Sequence, residues 1–260
     1  MDLPAQIRSG LQSQGLPPPS LAWIQSAMPN RNPLPPLPAL IATVKTRFLA
    51  ADLTSPALFD SPSPAFPSNP SNPEVREVKL TWDIPVQVLD IENLSKSKWE
   101  QVEELEAIAR GEQTRGREIV RLPTGSEEDG FAVDGQATQL TVNGVERPAV
   151  QGRGGSAASV TTANAVSKTS THRLVLQDCK GQKLYGLELK RIDRIGIGSL
   201  NIGEKITLKK GATLARGTIL LEATTCAILG GKVEAWQKDW VEGRLARLRE
   251  AVGADSHNAE

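Results

Sequence analysis

The chain has 260 residues, with 30 Lys and Arg balancing 30 Asp and Glu, so its formal net charge is zero. A globally basic nucleic-acid footprint is excluded, and only local patches remain open. Hydrophobic residues make up 39% and aromatics 4%, low for a chain folded from end to end, so part of it is expected to lack a core. The two cysteines, Cys179 and Cys226, offer neither a disulfide framework nor metal-ligand spacing. They read as small buried side chains in a reducing compartment. No cationic segment leads into an apolar core at the N-terminus, and no apolar run approaches membrane-spanning length, so a soluble intracellular protein without membrane contact is expected.

Residues 1–53 read as three short amphipathic helices packed as a bundle. Asp2 and Pro4 open the first, whose Ile7 and Leu11 share a face, and Gly15 closes it. Pro17-Pro18-Pro19 interrupts, and Ser20 caps a second helix carrying Trp23 and Ile24. Leu37, Ile41, Val44 and Phe48 give a third at helical spacing. Residues 54–73 interleave six prolines with Ser and Asn and read as an extended linker without the apolar content for a core.

Residues 74–251 are expected to form one β domain with a terminal helix. Ile84–Ile91 is strand-like, and Ser97-x-x-Glu100 is a capping box before a helix bearing Trp99, Val102, Leu105 and Ile108, with Gly111 as its stop. Arg115, Arg117 and Arg121 lie in a cluster able to touch phosphates. From Thr124 to Thr171 the composition is Gly, Ser, Thr, Ala and Asn, which reads as flexible. Arg173–Gly231 then supplies short apolar runs broken by Gly-containing turns, and Gly186 suggests a bulge or bend. The architecture that fits is the five-stranded Greek-key OB barrel. This run yields roughly four of the strands. With Ile84–Ile91 as the first strand, a long insertion, about 95–171, separates strands one and two, a length expected only of a functional insertion. Lys232–Ala251 forms a last helix with Trp236 and Trp240 on one stripe and Arg244, Arg247 and Arg249 in its C-terminal half, followed by a tail at 252–260. The fold class is α+β.

Chemistry is sparse. His172 and His257 are the only histidines, and no Ser-His-acid set, His/Cys metal set or nucleotide loop is present, so neither intrinsic catalysis nor a cofactor is expected. A single-stranded nucleic-acid site would use Tyr185 with Lys205, Lys209 and, from the insertion, Arg115 and Arg117.

At the barrel the chain resembles the RecQ-mediated genome instability protein family, in particular its short, fungal-type members. The resemblance rests on Gly203-x-Lys205-Ile206, Arg216-Gly217-x-Ile219-Leu220-Leu221 and Ile228-Leu229-Gly230-Gly231-x-Val233-Glu234-Ala235. Upstream it rests on Phe48-Leu49-x-x-Asp52-Leu53 and VQVLDIENLSKSKWEQVEEL. The order and spacing of these pieces carry more than any one of them. The resemblance implies a nuclear, non-catalytic OB-fold partner of topoisomerase III, a type IA enzyme, acting with a RecQ-family helicase. The insertion would modulate the topoisomerase's DNA gate during decatenation and dissolution of double Holliday junctions. On this reading the partner contacts are Val120, Arg121, Leu122 and Pro123 in the insertion and Arg216 and Leu220 on the barrel, each equally readable as structural and Leu220 first of all as core, and any DNA contact is weak and indirect. The alternative is an OB-fold protein that itself binds single-stranded nucleic acid.

Overall fold

The computed structural model describes residues 2–30, 33–62, 64–111 and 170–257, with side chains as far as residue 253. Three helices open the chain: α1 (Leu3–Ser13), α2 (Leu21–Ala27) and α3 (Leu37–Ala50). Their apolar stripes meet in one core containing Ile7, Leu11, Ile24, Val44 and Phe48. The punctuation works through backbone groups. At Gly15, φ is +76°, and the Gly15 and Leu16 amides return to Gln12 O and Leu11 O, satisfying carbonyls left open at the end of α1. Ser20 Oγ accepts the Trp23 amide at 3.0 Å and so caps α2. Asp2, in contrast, makes no side-chain cap.

The proline-rich stretch is not a bare linker. Leu58 is fully buried in the bundle core, and Phe59 meets Phe48 edge to face at 6.1 Å between ring centroids. Phe66 is buried in the core of the β domain, and its amide donates to Asp178 Oδ2 at 2.9 Å. The prolines set an extended course, and the few apolar side chains between them drop into two separate cores. The segment is therefore a strap across both units, held by burial that its average composition conceals.

Eight strands follow: β1 (Val78–Lys79), β2 (Ile84–Asn93), β3 (His172–Asp178), β4 (Lys183–Glu188), β5 (Lys205–Leu208), β6 (Thr213–Ala215), β7 (Thr218–Leu221) and β8 (Cys226–Gly230). They form one sheet in the order β1-β6-β7-β4-β3-β2-β5-β8. β2 pairs antiparallel with both β3 and β5, so Ile84–Asn93 is the missing first strand of the barrel. β7 runs parallel to β4, and β8 runs antiparallel to β5. Residues 218–230 thus act as one interrupted strand, and the sheet curls into an OB-type barrel of five staves, with β1 and β6 as an added ribbon. Inside lie Val86, Val88, Leu174, Leu176, Ile206 and Ile219, among others.

Gly186 is neither bulge nor bend. β4 keeps register with β3 and β7 through it, and a Cβ there would lie 2.9 Å from Leu176 Cδ1 and 3.1 Å from Leu221 Cδ1. The glycine makes room for two core leucines. The bulge sits in β2 instead, between Val88 and Asp90.

Helix α4 (Lys98–Ala109) lies between β2 and β3 in the chain, and α5 (Glu234–His257) ends it. The Ser97/Glu100 capping box is formed, and Gly111, with φ +74°, follows the last turn of α4. Val102 and Gln101 face inward, whereas Trp99 is exposed and donates to Glu103. Trp236 and Trp240 of α5 pack against the barrel core. Among the described residues no helix is long and apolar enough to cross a membrane.

Candidate partner-binding surfaces

The bundle is fixed to the barrel by a polar seam. Gln87 is buried on β2. Its Oε1 accepts the Leu53 amide at 2.9 Å, and its Nε2 donates to Asp52 Oδ1 at 2.7 Å and Gln177 Oε1 at 3.0 Å. Burial would raise the Asp52 carboxyl, but hydrogen bonds from Gln87 and Thr54 outweigh it and hold the group below its ordinary value. Lys205 is fully buried beside this cluster and donates to Gly203 O. Burial pulls its ammonium down to about 8, partly offset by the charges of Asp52 and Glu204. Glu204, also buried, accepts from Asn201 and Arg194. Burial raises its carboxyl, and those partners only partly offset the effect. At the same junction Gly231 sits against the backbone of α3, where an added Cβ would lie 2.4 Å from Leu49 O.

Lys205 is therefore not a nucleic-acid contact. Its pairing with Gln87 and Gly230 places it within the β2-β5-β8 part of the barrel wall, and its charge is spent on the seam. Lys209 is exposed, with its amide bonded to Thr225 O. Tyr185 is 48% exposed, as a stacking platform requires, but the Arg173 guanidinium already lies over its ring at 4.7 Å. Arg115, Arg117, Val120, Arg121, Leu122 and Pro123 lie outside the described residues.

The other two predicted contacts fall on the barrel exterior. Strands β3, β4 and β7 bury alternate residues, which leaves two outward rows: Val175, Tyr185 and Thr218, then Arg173, Leu187 and Leu220. Leu220 thus faces outward and is not core; its neighbours Ile219 and Leu221 fill the interior. Arg216 is exposed in the two-residue turn joining β6 to β7, where Arg216 and Gly217 have φ of +47° and +78°. Positive φ at both positions is the hairpin geometry that Asn and Gly favour, so an arginine there carries a local conformational cost.

The insertion leaves and rejoins the barrel at a closed root. The Leu94 amide bonds Thr171 O at 2.9 Å, and the Thr171 amide bonds Ser95 Oγ at 2.8 Å. Its first helix, α4, lies along α5 through Arg244–Gln101 and Arg249–Glu106 contacts. Inside the barrel end, Glu188 is buried and accepts from the His172 amide and ring, from Arg191 and from the Ile192 amide. That network anchors the first residue of β3 to the β4–β5 loop.

The model of the RMI1 N-terminal OB-fold domain matches residues 66–244, and that of the RMI1 N-terminal helical domain matches residues 11–56. The chain belongs to the RMI1 family. A relative from Schizosaccharomyces pombe, RecQ-mediated genome instability protein 1, is 26% identical over 197 residues, covering 76% of this chain and 74% of its own. The boundary between the two family domains falls inside the proline-rich strap. The pieces 48–53, 203–206 and 228–235 that carried the resemblance in the sequence converge on the polar seam between those domains.

What the sequence does not announce is a groove between the end of β2, the start of α4 and the C-terminal half of α5. Trp240 forms part of its wall, its indole N–H bonded to Asp90 Oδ1 at 2.6 Å. Arg244, Arg247 and Arg249 read as helix-dipole partners because the segment they face, 90–106, is nearly 150 residues away in the chain. Among the described residues, no group of three or more His, Cys, Asp or Glu could hold a metal.

Proposed function

We propose that this protein is a non-catalytic, nuclear subunit of a RecQ helicase–topoisomerase III assembly, acting in genome maintenance. In this reading it docks on the topoisomerase through the outer face of β3, β4 and β7, with Arg216 and Leu220 as contacts. The insertion between β2 and β3 modulates the DNA gate and so promotes decatenation and dissolution of double Holliday junctions. The protein makes and breaks no bonds. It shifts the enzyme between gate states by contacting them unequally.

The observation that supports this most is the position of the insertion in a family member. The root is closed by Leu94–Thr171 hydrogen bonding and backed by α4 lying along α5, so the barrel does not depend on the intervening segment for closure. A long connection costs little more than a short one entropically, and a rigid root sets where it starts and ends on the barrel.

The test uses the intact chain and a version in which residues 112–169 are replaced by a short Gly/Ser turn, leaving α4 in place. Pull-down with topoisomerase III and single-turnover decatenation are compared. Retained binding with altered decatenation supports a barrel dock and an insertion modulator. If the intact chain neither binds nor alters the enzyme, the reading fails.

A further inference from the structure

We infer that the groove between β2, α4 and α5 is a docking site for an acidic, partly apolar peptide segment of a partner protein. Its volume is about 470 Å³. Five cationic side chains line it, Lys96, Lys98, Arg173, Arg244 and Arg247, against two carboxylates, Asp90 and Glu92. The whole chain has a formal net charge of zero, so this excess of three positive charges is a local concentration. Both carboxylates are engaged, Asp90 by the Trp240 indole and Glu92 by Arg173 at 2.7 Å. Lys96 in turn pairs with Glu104 at 2.7 Å, so the positive excess rests chiefly on Lys98, Arg244 and Arg247.

The choice of a peptide over a nucleic acid comes from Trp240 and the apolar lining. Arg244 and Arg247 lie over the Trp240 ring at 5.3 and 5.9 Å, which commits the indole to cation–π contact and leaves it a poor platform for a base. Leu94, half exposed, and Leu248 add apolar surface beside the cations. Carboxylates on a peptide suit guanidinium forks in pairs, and an intervening leucine or phenylalanine suits the apolar floor. A sugar-phosphate backbone would use the charges and waste the floor. This site meets the outer β3-β4-β7 face at Arg173 alone and does not rest on the proposed topoisomerase contact.

The experiment uses the full chain and an array of short fluorescent peptides built from Asp, Glu, Leu and Phe. A matched array has Asn and Gln in place of the acids, and a labelled oligothymidine is the nucleic-acid probe. Two exposed groove residues on opposite walls are reversed, Lys98→Glu on α4 and Arg247→Glu on α5, singly and together, with circular dichroism to confirm folding. The expected result is binding by acidic but not by amide peptides, lost at high salt and weakened about tenfold or more in the double variant, since two attractions become repulsions. Lys79→Glu, exposed on β1 and outside the groove, should leave binding unchanged. No binding by any acidic peptide, or equal binding by the double variant, overturns the inference. So does tighter, groove-dependent binding of oligothymidine, which would make the groove a nucleic-acid site.

Discussion

The polar seam and the cationic groove are both places where distant elements meet on the barrel, and they differ in one respect: the central groups of the seam, Gln87, Glu204 and Lys205, are fully buried and those of the groove are not. In the seam every polar atom of Gln87 has a protein partner, and the only described side-chain polar atom that is both buried and unpartnered lies elsewhere, at Thr207. A network with a buried, saturated centre fixes geometry and has little left to offer a ligand. The groove keeps its guanidinium and ammonium groups partly wet, where they add little to stability but can still exchange partners. Charge in the seam is therefore architecture, and charge in the groove is available for recognition. Substitutions should separate the two: seam changes lower stability, whereas reversals at Lys98 or Arg247 shift it by less than about 0.5 kcal/mol.

The largest effect is expected at Gly231. Its φ of +88° already disfavours a side chain, and a Cβ would collide with Leu49 O and the rest of that peptide. Gly231→Ala should cost about 3 kcal/mol in urea unfolding and expose the seam to amide exchange around Leu53. Unchanged stability would mean that α3 is not seated on the barrel as described.

Gln87→Leu comes next. It strands the buried Leu53 amide and removes a donor from Asp52, and should cost about 2 kcal/mol. Gln87→Glu is the sharper variant. It keeps the acceptor for Leu53 but places a second carboxylate against Asp52, so its cost should shrink as pH falls and either acid is protonated. A loss independent of pH in Gln87→Glu would show that packing, and not the hydrogen bonds, is what Gln87 supplies.

Lys205 gives the seam a pH signature. Its folded value of about 8 lies below the ordinary 10.5, so between those pH values the unfolded chain binds more protons than the folded one. Stability from this group is lowest below pH 8 and rises as pH climbs from about 8 to 10.5. Cys226 acts in the opposite sense. Burial lifts its thiol from 9.0 to about 11, so the folded state holds that proton longer and stability falls between those values. The two trends overlap above pH 9. Against wild type, Lys205→Met should abolish the rise that begins near pH 8, and Cys226→Ala should extend it past pH 9. Denaturant midpoints from pH 7 to 10.5 would check both. A wild-type curve that Lys205→Met leaves unaltered would place the ammonium in contact with water.

Much of this fold was legible in the chain because its local signals agree with its packing. Gly15, Ser20, the Ser97/Glu100 box and the alternating strands all ended up where spacing put them, and Ile84–Asn93 closed the barrel despite the distance to β3. What could not be read were contacts between distant segments. Phe66 in a proline-rich run has no periodicity to announce that it fills the barrel. Lys205 alternates like a surface lysine until Asp52 and Glu204 close around it. Leu220 follows an apolar neighbour and precedes another, so only the parallel pairing with β4 decides which of the three turns outward. The groove has the same character: two of its cations come from the start of the insertion, one from β3 and two from the last helix.

A small effect of opposite sign is expected outside both the seam and the groove, at Arg216. Arg216 holds a left-handed conformation in a hairpin turn with its side chain in solvent, and its amide is bonded to Val75 O at 3.0 Å. Asn adopts that backbone more readily, so Arg216→Asn should stabilise the protein by about 0.5–1 kcal/mol while leaving the Val75 bond intact. A residue that costs stability where a better one would fit is maintained either by chance or by what its side chain touches in a complex. The two possibilities part in one experiment. If Arg216→Asn raises the melting temperature and weakens capture of topoisomerase III, the guanidinium belongs to the dock on the β3-β4-β7 face. If stability rises and capture is unchanged, Arg216 is a tolerated strain and the dock lies closer to Leu187 and Leu220, where Leu220→Asp should then be the variant that releases the partner.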